Sequence, residues 1–120
     1  MASAEAPGRG EIWLVSLGAA RKGEPGKNRP AIVISADEIL AGTEDELIVV
    51  VPLSTSRAPS KLRPPVSPMT GIDAESAAIP RAIRAVSRRR LLRRLGRLEP
   101  ETLDAVEAAL ATVLALDTAS

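Results

Sequence analysis

The sequence contains no cysteine, no histidine, no tyrosine and no phenylalanine, and Trp13 is its single aromatic residue. Without cysteine there is no disulfide framework, no thiolate metal site and no thiol nucleophile. Without histidine there is no imidazole ligand, no histidine acid or base and no Ser-His-Asp triad. Structural zinc is excluded with them. No EF-hand or other carboxylate ligand motif is present, so no metal and no cofactor are expected. One aromatic cannot build a base-stacking platform. The available chemistry is that of Arg, Lys, Asp, Glu, Ser, Thr and the backbone. The 120 residues are enough for one domain with one core. No apolar run approaches the ~18 residues of a membrane span. The start, Met1 to Pro7, lacks a basic stretch and an apolar segment, so no secretory signal is read and the cytoplasm is the expected compartment.

What is present is unevenly charged. The net charge of +1 conceals arginines at 81, 84, 88, 89, 90, 93, 94 and 97 with no acid between them. Smaller basic clusters lie at Arg21, Lys22, Lys27 and Arg29, and at Arg57, Lys61 and Arg63. After Leu98 the chain carries Glu99, Glu101, Asp104, Glu107 and Asp117 and no base. Such runs fit either a solvated surface with internal ion pairs or a basic surface for a polyanion.

Local patterns suggest mainly β structure with helices. Residues 1–9 read as a flexible start and 10–117 as one domain. Glu11–Leu17, Arg29–Ser35 and Leu47–Leu53 are β-rich and apolar on nearly both faces, as in a barrel or sandwich core. Gly18–Asn28 is a long Gly- and Pro-containing loop. Pro52 predicts an edge or bulge in the third strand. Ser35 and Glu38 fit a capping box opening a short helix that ends near Gly42. Arg57–Pro68 holds four prolines and reads as loop or edge, Gly71 as a turn, and Ser76–Val86 as one or two strands broken at Pro80. Ser87–Leu95 predicts a short basic helix stopped by Gly96. Pro100 opens a final helix whose Leu103, Val106, Leu110 and Val113 form one buried stripe. Strands first and helices last predict an antiparallel, barrel-like sheet carrying helices.

Several segments, taken in order, resemble the toxins of the MazF/PemK/Kid type. They are Gly10-Glu-Ile-Trp13, Gly-Glu-Pro-Gly-Lys-Asn-Arg29-Pro30, Ala-Ile-Val-Ile-Ser35, Val-Val-Pro52-Leu-Ser54-Thr, Ile83-Arg84-Ala-Val86, Arg90-Leu91 and Gly96-Arg-Leu98. Each is short, and their joint order is what is specific; together they span roughly residues 8 to 116. The resemblance implies an SH3-like antiparallel β-barrel of the CcdB/MazF type, with a short helix and a C-terminal helix, in a homodimer. It implies a type II toxin that cuts single-stranded RNA at short sequences without metal and is neutralised by the acidic C-terminal peptide of a MazE-type antitoxin.

Carried over residue by residue, the resemblance implies Arg29 and Ser54 as catalytic residues. Glu24, in the loop five residues before Arg29, and Thr55, a substitute hydroxyl, are secondary candidates. Lys27, Asn28, Arg57, Lys61 and Arg84 are candidate RNA contacts. Where the family commonly carries an acid and a glutamine before the Ile-Arg pair, this chain has Arg81 and Ala82. Two alternatives remain open: a gyrase poison resembling CcdB, which would want a C-terminal tryptophan that this chain lacks, and a degenerate barrel that only binds an antitoxin.

Overall fold

The computed structural model describes residues 6–18, 28–42 and 46–116. Among the described residues, seven strands and two helices follow in chain order: β1 (Glu11–Ser16), β2 (Asn28–Val33), α1 (Asp37–Leu40), β3 (Leu47–Ser54), β4 (Pro65–Val66), β5 (Ser76–Ala78), β6 (Arg84–Ser87), β7 (Leu91–Arg97) and α2 (Pro100–Leu114). Short 3-10 turns occupy Pro68–Thr70, Pro80–Ala82 and Arg88–Arg90. The strands form one antiparallel sheet in the order β4-β5-β3-β2-β1-β7, with β6 also paired to β3. It curls into a half-barrel.

The absence of polar alternation in the first three strands follows from burial of both sheet faces. One face packs Ile12, Ile32, Val51 and Leu53 against Val106 and Leu110 of α2. The opposite face packs Trp13, Val15, Val33, Ile48 and Val50 with Leu40 of α1 and Val86 of β6. Within the anticipated helical stripe, Val106 and Leu110 are buried and Leu103 and Val113 half-buried. Pro52 lies where β3 changes neighbour, from β6 (Val50 opposite Arg84) to β5 (Leu53 opposite Ala78). A residue without an amide proton fits that switch, because its carbonyl still accepts from Ile79 (2.9 Å).

Two local expectations are corrected. The basic segment 87–95 is not a helix: it makes a 3-10 turn and then β7, which pairs with β1. Arginine and leucine favour a helix locally, but the open edge of β1 gains a ladder, with two register shifts, by taking this segment as a strand. Gly96 lies inside β7 rather than stopping a helix. Ser35 is not the cap of α1 either. The N-cap is Ala36, without a side-chain bond, and the Ser35 hydroxyl accepts from the Val49 amide (2.8 Å), joining the start of α1 to β3.

A buried carboxylate fastens the edge strand. Glu11 is 5% exposed and accepts from the Gly8 amide (2.8 Å) and the Trp13 indole (3.0 Å). It also pairs with Arg94 (3.0 Å) and Arg97 (3.4 Å) of β7. Within the stretch read as a flexible start, Arg9 bonds Ile34 and Glu107, and its amide donates to Asp37 (3.1 Å). Burial alone would push the Glu11 carboxyl up. The Trp13, Gly8 and Arg94 donors outweigh it and hold the group below its ordinary value of 4.5. A lowered folded-state pKa stabilises the fold above the unfolded value, and that contribution is lost as pH falls through the folded value. Glu11→Gln is therefore expected to cost about 2–3 kcal/mol near neutrality and to flatten the loss of stability below about pH 4.5, read as Tm against pH.

Candidate active site

The site is built where the β2–β3 ladder ends. The Ile34 amide donates to Val49 (2.9 Å), and the rungs run Val33–Val50, Ile32–Val51 and Ala31–Pro52. By antiparallel alternation, residue 30 would be the next of β2 to offer its amide to β3. It is proline and has none. The ladder stops at Ala31–Pro52, and β3 goes on to pair with β5 through Leu53–Ala78 and Ser54–Ala77. Arg29 and Ser54 each lie two residues beyond that last rung, on the same side of the sheet and at its opened end.

Arg29 is half-buried, its backbone paired with Val15 of β1. Among the described residues no side chain hydrogen-bonds or ion-pairs with its guanidinium. An arginine that served only to neutralise a neighbouring acid would have one. The Ser54 hydroxyl accepts from the Ser56 amide (3.1 Å) and shares a hydrogen bond with the Ser56 hydroxyl (3.0 Å). This is the local turn bonding that Ser-Thr-Ser favours, and it has a chemical consequence. When Ser56 donates, Ser54 accepts twice, and its own proton is free for an oxygen of a bound group. Thr55 is exposed and lines a neighbouring cleft with Ser56 and Arg57, so it stands outside the Arg29–Ser54 pair.

The remaining candidates fall into separate places. Asn28 is exposed beside Arg29, opposite Ser16. Arg84 opens β6, and its guanidinium comes within 4.0 Å of where a β-carbon on Gly18 would sit, at the exit of β1. Arg57 and Lys61 line a pocket of about 510 Å³. Glu24 and Lys27 lie outside the described residues. Arg63 and Arg81 line the same pocket and were not singled out as contacts. The Arg57, Lys61, Arg63 cluster and the departure from the family at Arg81 were the available signals, and the turn at Pro80–Ala82 brings Arg81 to that loop. Among the described residues no group of three or more acids could hold a metal ion, and no helix is long and apolar enough to cross a membrane.

A curled half-barrel with an arginine and a hydroxyl at an opened strand end defines a class, and comparison with known proteins gives its name. Residues 8–114 match the model of the PemK-like, MazF-like toxins of type II toxin–antitoxin systems, and the chain belongs to that family. It is 36% identical over 110 residues to endoribonuclease MazF9 of Mycobacterium tuberculosis, covering 85% of this chain and 91% of that protein. Solved structures share the fold. A mycobacterial endoribonuclease in complex with its cognate antitoxin superposes with a TM-score of 0.76 at 24% identity, over 95% of this chain and 100% of that one. MazF of Deinococcus radiodurans gives 0.76 at 19% identity, over 92% and 98%.

Proposed function

We propose that this chain is the toxin of a type II toxin–antitoxin pair and a metal-independent endoribonuclease that cuts single-stranded RNA at short sequences, arresting growth through loss of translation. The observation that carries this reading is the placement of Arg29, whose guanidinium has no partner among the described residues, and of Ser54, each two residues beyond the last β2–β3 rung, where Pro30 ends the ladder. The RNA 2′-hydroxyl attacks the adjacent phosphorus, the bond to the 5′-oxygen breaks, and the products are a 2′,3′-cyclic phosphate and a 5′-hydroxyl. The substrate brings its own nucleophile, so the protein needs to orient the chain and stabilise charge.

Arg29 suits the charge. Its planar fork engages two phosphate oxygens at once, and it can donate a proton to the leaving oxygen. Its pKa above ~12 rules it out as the base that takes the 2′-proton; that proton passes to solvent water, and Arg29 regains from solvent the one it gives the leaving oxygen. Ser54 donates to a non-bridging oxygen. Ser54→Ala is expected to slow cleavage about 10²-fold, with the thermal transition in place; an unchanged rate would move the hydroxyl role to Thr55.

The protein acts in the cytoplasm as a homodimer and is neutralised by a MazE-type antitoxin with an acidic C-terminal peptide. The test is to incubate purified protein with varied single-stranded RNA in EDTA and sequence the new ends. Cleavage leaving cyclic phosphate and 5′-hydroxyl termini is expected. No cut in any RNA, or cutting only after a divalent metal is added, overturns the reading.

A further inference from the structure

A serine at position 54 leaves its own side-chain torsion unrestricted. Three staggered wells are open to it, where the β-branch of a threonine would confine the hydroxyl. For a group that must meet one oxygen of a phosphate, that freedom is costly. It is removed from outside, by Ser56. The Ser56 amide donates to Ser54 Oγ (3.1 Å), and the Ser56 hydroxyl lies 3.0 Å from the same oxygen. A hydroxyl oxygen has two lone pairs and one proton. With the Ser56 amide on one lone pair and the Ser56 hydroxyl proton on the other, a single direction is left, and the Ser54 proton takes it.

Ser56 is itself held in place. The chain leaves the sheet at Ser54, opposite Ala77, and rejoins it at Pro65, opposite the same Ala77. Both ends of segment 55–64 are thereby pinned to one row of the ladder. Within it, Arg63 Nε donates to the Ala58 carbonyl (2.9 Å), and Ser60 and Arg63 exchange two backbone hydrogen bonds of 3.0 Å. Ser56 is exposed, and among the described residues Ser54 is the one hydrogen-bond partner of its hydroxyl. That hydroxyl holds no other part of the fold together.

We infer that Ser56 is a positioning residue of the ribonuclease site, confining the Ser54 hydroxyl through two hydrogen bonds and turning its proton outward. It touches no substrate. The inference rests on the ribonuclease reading and deepens it by naming the group that orients the donor. Either oxygen of the Ser54–Ser56 pair can donate while the site is empty. A bound phosphate settles the direction. Its negative oxygen is a stronger acceptor than a neutral hydroxyl, so Ser54 donates to the phosphate and Ser56 donates to Ser54. Successive bonds polarise one another, which strengthens the last of them. The benefit grows as charge builds on the non-bridging oxygens, so it falls on kcat rather than on KM.

The experiment is steady-state cleavage of one single-stranded RNA, with a thermal melt of each protein. Ser56→Ala is expected to lower kcat about fivefold, to leave KM within about twofold and to leave the melt in place. Ser56→Thr keeps both donors and restores kcat, which a packing role for a small side chain would not produce. A second readout repeats Ser56→Ala in a Ser54→Thr protein, compared with that protein's own rate. There the β-branch already confines the hydroxyl, and the loss shrinks to less than about twofold. A Ser56→Ala protein with the parental kcat overturns the inference. So does an equal loss in both backgrounds, or a Ser56→Thr protein that stays slow. Cleavage by the unchanged protein tells this failure from that of the reading beneath it. Cutting that ignores Ser56→Ala removes the positioning role alone, whereas no cut in any RNA removes the ribonuclease reading and this role with it.

Discussion

Arg29→Ala is expected to lower RNA cleavage by about 10²–10³ while leaving the protein folded. The loss follows from what the side chain faces. Its guanidinium has no ion-pair or hydrogen-bond partner among the described residues, and its backbone stays in β2 opposite Val15. Truncation therefore strands no buried acid, and the stability change should stay within about 0.5 kcal/mol. In the phosphorane the two added oxygen contacts disappear together, and no histidine exists to take over. Arg29→Lys keeps one point charge but not the fork and should fall between the two. Initial rates on one RNA, with thermal melts of all three proteins, decide the matter. Equal cutting by Arg29→Ala would take the residue out of catalysis.

Gly96→Ala is expected to have the largest effect on stability. In β7 the Gly96 backbone passes directly over Thr70 and Gly71. A β-carbon there would overlap the Thr70 carbonyl, lying 2.6 Å from its carbon and 3.3 Å from Gly71 Cα. The approach is reciprocal. A β-carbon on Gly71 would sit 2.9 Å from the Leu95 carbonyl carbon, and Gly71 has φ of 114°, where side chains are strained. Both obstacles are backbone, so neither can turn aside. The cost is expected to be about 4 kcal/mol or more, a large part of a total of about 5–15 kcal/mol. The variant should lose its cooperative melt at physiological temperature. Gly8→Ala is the comparison, because its β-carbon would meet only the ends of two side chains, Glu11 at 3.4 Å and Arg97 at 3.6 Å. A Gly96→Ala protein melting with the parent would refute this account of the crossing.

The same two glycines show where sequence reading reaches and where it stops. The first three strands were legible because both of their faces are apolar, a pattern that only burial on two sides explains. The last helix was legible from Pro100 and the spacing of Val106 and Leu110. The pairing of Arg29 with Ser54 came through the resemblance, and the register later placed them at one strand end. Gly96, by contrast, reads locally as a helix stop, and only the crossing of Thr70 shows why a side chain is forbidden. The segment 87–95 misled for a related reason: its helix-forming residues are recruited as an edge strand by β1 and by Glu11, more than seventy residues earlier in the chain. Ser35 looked like a cap because its Val49 partner is distant in sequence. Glu11 belongs to the Gly10-Glu-Ile-Trp13 segment, but its role appears only once four donors converge on it.

That convergence also shapes the field around the molecule. Arg94 and Arg97 share the single negative charge of Glu11, and Arg9 is answered by Glu107, so part of the positive charge along β7 and just before β1 is cancelled close to its source. The cations lining the pocket near Ser54 have no such acid among them. Counting arginines along the chain would place the basic pole at residues 88–97. The distribution of partners leaves a second uncompensated cluster at the opposite side of the sheet order, in the loop after β3. A polyanion diffusing toward this protein is attracted by both clusters, so its rate of capture falls steeply with ionic strength while the Glu11 clamp, being buried, is little affected.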